Sequence, residues 1–156
     1  MSLYHSQHQC CLWPELFTVR LRFKLDIQFF ACSNNGLFSS TGHVSERSIS
    51  KNRDFFYEKS PSEIAGALNE QGYKTMIRPS KHATSKAKAV VVGNSDKHRN
   101  ITQILVSPGT PRHGNVPYVK ISTNDGGRFK VINGTKSEYK TDGNENAKLF
   151  FRRRKK

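Results

Sequence analysis

The chain has 156 residues, 35% of them hydrophobic against the roughly 45–50% of an ordinary globular chain. That length and content allow one compact core and exclude a large two-domain enzyme, and no run nears the ~18 apolar residues that span a bilayer, so no membrane partner is expected. The formal net charge of +14 points instead to a polyanion.

The charge is uneven. Residues 1–73 hold 7 Lys+Arg and 7 Asp+Glu, whereas residues 74–156 hold 19 and 5. Five of those cations are the terminal run Arg152 to Lys156, and without them +9 remains. A basic tail is therefore not the whole explanation, and a folded surface should itself be positive. RNA or DNA is the expected partner, because phosphate neutralisation rewards dense Lys and Arg.

In chain order, residues 1–53 read as an irregular extension and linker. The three cysteines, Cys10, Cys11 and Cys32, are odd in number and make no disulfide framework. The spacing of His5, His8, Cys10 and Cys11 fits no common zinc pattern, so no metal or cofactor is expected. Packing alone should hold the core, as in a reducing cytoplasm. Residues 24–31, Lys-Leu-Asp-Ile-Gln-Phe-Phe-Ala, resemble the opening residues of tailed-phage head proteins. That match implies prophage origin and a start further in than Met1. Residues 33–53 are rich in Ser, Asn and Gly and read as a linker.

Order is expected from Asp54, with a domain over 54–151 and a basic tail over 152–156. Ser60-Pro61-Ser62-Glu63 is a helix start: Ser60 caps, Pro61 suits the first helical position, and Glu63 reaches back. Ile64, Ala67, Leu68 and Gln71 share a face, and Gly72 supplies the left-handed residue that ends the helix. Beyond it the period changes to two. Strands are expected at Tyr73–Arg78, Ala87–Val92, Ile101–Ser107, Tyr118–Ser122, Arg128–Ile132 and Lys148–Phe151. Asn124 to Gly127 should close a hairpin. In it Val119, Ile121, Phe129 and Val131 face the core, while Tyr118, Lys120, Ser122, Arg128 and Lys130 face out. The expected architecture is α+β, a short N-terminal helix packed on a twisted antiparallel sheet with one cationic face.

The acids of the basic part, Asp96, Asp125, Glu138, Asp142 and Glu145, form no cluster suited to Mg²⁺, and no phosphate-binding Gly-rich lysine motif or Ser nucleophile elbow is present. What remains is His, Lys, Arg, Ser, Thr and Tyr. That set suffices for metal-free RNA cleavage, in which the substrate's own 2′-hydroxyl attacks and side chains move protons and stabilise phosphate charge. Three segments supply such groups: Arg78 to Lys86 with Ser80, Lys81 and His82; Ser107 to Gly114 with Arg112 and His113; and Tyr139 to Gly143 with Lys140. The plain alternative for His82 and His98 is a solvated basic loop.

Residues from about Ser60 to Phe151 carry, in order, Gly-Tyr-Lys-Thr-Met-Ile-Arg-Pro-Ser (72–80), Arg-Asn-Ile-Thr-Gln-Ile-Leu-Val-Ser-Pro-Gly (99–109), Arg-His-Gly (112–114), Pro-Tyr-Val-Lys-Ile-Ser-Thr (117–123) and Tyr-Lys-Thr-Asp-Gly (139–143). This order resembles the C-terminal toxin domains of bacterial polymorphic toxins and their phage-borne relatives, the barnase–EndoU–colicin–RelE-like nucleases. The resemblance implies a ribonuclease with four or five antiparallel strands, acting in a bacterial cytoplasm. It implies Arg78, His113, Lys120 and Thr123 as catalytic residues. Arg112, Ser122, Tyr118, Tyr139, Lys140, Ser80, Lys81 and His82 would contact nucleic acid. An acidic immunity protein or antitoxin, and a phage head or toxin carrier protein, are the implied protein partners. Two other readings stand beside it. One is a non-catalytic nucleic-acid-binding module of phage origin. The other is a double-stranded-RNA-binding-like toxin fold built on His82, which would want a C-terminal helix where the pattern shows a strand.

Overall fold

The structure, a computed structural model, describes residues 36–81, 85–141 and 143–153. These lie in one compact unit, Ser33–Lys156. The zinc and phage-head readings of the first 35 residues, together with His82, Asp142 and residues 154–156, lie outside the described residues. No helix among the described residues is long and apolar enough to cross a membrane.

The protein is α+β. Two helices, α1 (Glu46–Lys51) and α2 (Pro61–Glu70), flank a short 3-10 turn at Arg53–Phe56. Six strands follow: β1 (Thr75–Pro79), β2 (Lys88–Val92), β3 (Ile101–Ser107), β4 (Tyr118–Thr123), β5 (Arg128–Ile132) and β6 (Lys148–Phe151). They form one sheet in sequential order. All six strands expected from the period-two pattern are present.

The start of α2 is built as its sequence dictates. Ser60 Oγ accepts from Glu63 N–H at 3.2 Å, and Glu63 accepts from Ser60 N–H at 2.7 Å. Ile64, Ala65 and Leu68 are its buried face, Ala65 taking the place expected of Ala67. Gly72 has φ +78, a left-handed value that only glycine adopts freely, and it ends the helix. The helix packs over β1 and β2.

Two expectations need correction. The sheet has six strands rather than four or five, and it is mixed. β1 to β5 pair antiparallel, but β6 pairs parallel to β5. A parallel neighbour demands a crossover instead of a tight turn, and residues 133–147 supply it. The packed helix is also not N-terminal, since α1 and the 3-10 turn precede it.

The segment read as linker is part of the core. Leu37, Val44 and Ile49 are all buried. Ser45 caps α1, accepting from Ser48 N–H at 3.1 Å while Ser48 Oγ accepts from Ser45 N–H at 3.0 Å. The Lys148 ammonium, at the core-side edge of β6, pairs with Glu46. Polar composition hid three apolar residues that pack on a sheet formed by the rest of the chain.

One buried side chain fastens this segment. Val44 N–H donates to Asn100 Oδ1 at 2.9 Å, and Asn100 Nδ2 donates to the Val44 carbonyl at 2.9 Å and to Asp125 at 3.0 Å. Asn100→Ala would leave both backbone groups of Val44 unpaired in the interior. It should lower unfolding free energy by about 1–3 kcal/mol, read as an earlier midpoint in urea.

Candidate nucleic-acid interface

Strand alternation sorts the side chains onto two faces. The core face carries the cross-strand row Ile77, Val90, Ile104, Ile121 and Phe129. The other face carries two rows. One runs Arg78, Ala89, Leu105, Lys120, Lys130 and Leu149; its neighbour runs Met76, Val91, Gln103, Ser122 and Arg128. No strand contributes an acidic side chain. The charged side chains that the strands bring to this face are therefore all cations.

Over β1 to β4 and at the Arg128 end of β5 the face is open. Arg78 and Arg128 are exposed, and Lys120, Ser122 and Gln103 are half-buried. Three strand spacings of about 4.8 Å separate the backbones of Arg78 and Lys120, so their long side chains span about 14 Å of surface. A shallow polar depression of about 400 Å³ lies between Thr102, Gln103, Leu105, Lys120, Ser122 and Arg128. Arg128 was not singled out from sequence. Its signal was present, because it stands cross-strand to Ser122.

From Lys130 onward on β5, and over β6, the same face is covered. The crossover and the Pro111–His113 turn fold onto it and bury Ile132, Val116 and Tyr139. Lys130, expected to face solvent, is only 4% exposed. Its ammonium donates to the Glu145 carboxylate at 2.7 Å and to Tyr139 Oη at 2.7 Å, and stands 4.6 Å from the Tyr118 ring centre. Tyr139 Oη in turn donates to Glu145 at 3.0 Å. Burial alone would raise the Glu145 pKa; the Lys130 ammonium and the Tyr139 hydroxyl outweigh it and hold the carboxyl below its ordinary range.

His113 belongs to this corner. It was expected on a loop open to substrate, but it is 8% exposed. Its ring stacks on Tyr139 at 5.0 Å and meets Tyr118 edge-on at 5.7 Å. Nδ1–H donates to the Lys140 carbonyl at 2.9 Å, which leaves Nε2 as the acceptor of the neutral ring. Gly114 permits the arrangement. Its φ is +72, and a Cβ there would collide with the Glu138 carbonyl oxygen.

The candidates therefore fall into two groups. Arg78, Lys120 and Ser122 share the open face. His113, Tyr118 and Tyr139 form the covered corner beside it, joined to the face where Tyr118 and Lys120 follow one another on β4. Thr123 is buried and its hydroxyl donates to the Asp125 carboxylate in the hairpin turn, while the residue also lines the polar depression with Lys120, Ser122 and Arg128. Ser80 extends the β1–β2 pairing through its N–H to the Ala87 carbonyl. Lys81, Arg112 and Lys140 are exposed. Among the described residues no three His, Cys, Asp or Glu side chains group as metal ligands. No family model, characterised protein or solved structure matches the chain.

Removing one partner of the Lys130–Glu145 pair strands a buried charge, so Lys130→Met or Glu145→Leu alone should cost about 3–5 kcal/mol, whereas the double variant should stay near the wild type. The pair also has a pH signature. Because the folded-state pKa of Glu145 is depressed, its contribution is whole above the ordinary carboxyl range and fades as pH falls through the folded value. Acid melts should show this loss in the wild type and less of it in the double variant.

Proposed function

We propose that the chain is a metal-independent endoribonuclease of the barnase–EndoU–colicin–RelE-like kind, with its RNA laid across the open sheet face. The observation that carries this reading is the gathering of Arg78, Lys120, Ser122 and Arg128 on one open, carboxylate-free sheet face beside the corner that holds His113. Cations at strand spacing engage successive phosphates, and Ser122 and Gln103 add neutral hydrogen-bonding groups for the ribose. Cleavage proceeds by attack of the 2′-oxygen on the adjacent phosphorus. The 2′ proton leaves to a base, the bond from phosphorus to the 5′-oxygen breaks, and that oxygen takes up a proton. The products are a 2′,3′-cyclic phosphate and a 5′-hydroxyl end. His113 Nε2 is the proton acceptor in this scheme, and Lys120 with Arg78 stabilises the phosphorane charge. The reading brings with it a bacterial cytoplasm as the place of action, an acidic immunity protein as inhibitor, and a phage head or toxin as carrier.

A second reading, a non-catalytic RNA-binding module, is favoured by the burial of His113. Cleavage of RNA in the presence of EDTA separates the two. The nuclease should keep its turnover with the chelator and yield cyclic-phosphate ends. His113→Gln, checked by its melting curve, should lower cleavage by about 10²–10⁴-fold with binding retained. Lys120→Ala should weaken binding and reduce the salt slope by about one. Salt-sensitive binding by a wild type that never cuts would establish the module instead.

A further inference from the structure

The core face also has an opening. Helix α2 covers β1 and β2, and at the far end of β2 to β5 a cavity of about 410 Å³ remains. Its floor is a single cross-strand row, Val106, Val119 and Val131, with Lys88 at the β2 end of the same row. Phe56, Tyr57 and Pro61 stand over it, and Pro108 and Pro117 flank it. Lys59, Lys86 and Lys88 line it against one carboxylate, Glu58.

We propose that this cavity is a nucleotide subsite, taking a nucleobase on the valine floor with its phosphate on the lysine rim. Val106 is the half-buried, accessible part of this apolar floor, backed by the buried Val119 and Val131, and with Pro108 and Pro117 beside it the wall suits a planar ring better than a flexible chain. The volume lies within the roughly 300–1,000 Å³ of small-ligand pockets. Apolar walls with clustered ammonium groups at the mouth match a molecule that is flat and uncharged at one end and anionic at the other. Tyr118 is common to the cavity lining and to the His113 corner, which lie on opposite faces at the same end of the sheet. The subsite rests on the reading of this chain as a protein that acts on RNA. The base comes either from the bound strand or from a free nucleotide.

Calorimetric titration of the full chain with AMP, GMP, CMP, UMP, ribose 5-phosphate and inorganic phosphate tests it. At least one nucleotide should saturate a single site about tenfold more tightly than ribose 5-phosphate, the ring supplying the difference. Lys88→Glu, at the exposed rim, and Val106→Phe, which fills the floor, should each weaken that nucleotide by about tenfold or more. Lys88→Glu keeps the test decisive if Val106→Phe does not fold. Competition by the nucleotide against RNA, with base preference in cleavage lost in Val106→Phe, would assign the base to the strand. Binding without competition would assign a free nucleotide. The proposal is overturned if no nucleotide saturates by about 10 mM, if ribose 5-phosphate binds as well as every nucleotide, or if Lys88→Glu leaves affinity unchanged. Nucleotide binding by a protein that never cuts RNA would remove the nuclease reading and leave the subsite. Cleavage without nucleotide binding would do the reverse.

Discussion

The architecture turns on one buried ammonium. Lys130 lies in the middle of β5 on a face that would otherwise be open, and an isolated charge there has no tolerable interior state. Glu145, Tyr139 and the Tyr118 ring satisfy it. Two of those groups come from the crossover after β5, so neutralising the lysine and folding the crossover onto the sheet are one event. That event sets the direction of β6, which returns parallel to β5. It also brings Tyr139 under His113 and places the Lys140 carbonyl at Nδ1. The tautomer of the histidine is thus set by the same segment that shields the lysine.

The other face depends on a different economy. Its central row is aliphatic and aromatic, but no single helix is long enough to cover six strands. Helix α2 lies over β1 and β2, while α1 is tied to the far edge through Glu46 and Lys148. The 3-10 turn brings Phe56 into the core between the two helices in the chain. The chain before α1 is drawn in by Asn100, whose amide bonds both backbone groups of Val44 much as a strand neighbour would. Incomplete cover leaves the valine-floored cavity at one end.

Strands without acids on either face give the molecule its electrostatic asymmetry. Among the described residues carboxylates occur only in helices, turns and loops. Two of them are engaged by neighbours in sequence: Asp96 is held below the usual range by backbone N–H groups of Arg99 and His98, and Glu138 by Thr135. A polyanion approaching the open face meets Arg78, Lys120 and Arg128 with no competing carboxylate among them. This ties the candidate interface to the shape of the sheet and not to a tail.

Local chemistry was legible in the sequence. The cap at Ser60, the left-handed Gly72, the hairpin at 124–127 and the alternation along Tyr118 to Thr123 each depend on a few neighbouring residues, and each formed as expected. The segment 36–53 was not legible, because three buried side chains and one bridging asparagine 56 positions away leave no periodic trace. The site was legible in part. Arg78, Lys120 and Ser122 fall on one face through period-two spacing alone. That His113 and Lys130 are covered instead of open depended on where the crossover lands, a contact between segments whose sequences do not announce each other. The amino-acid order by itself therefore determined α2, the six strands, the positive half and the polarity of each strand face. Only the tertiary structure decided which part of that face stays open to solvent, since covering it requires a buried charge to find its partner across the fold.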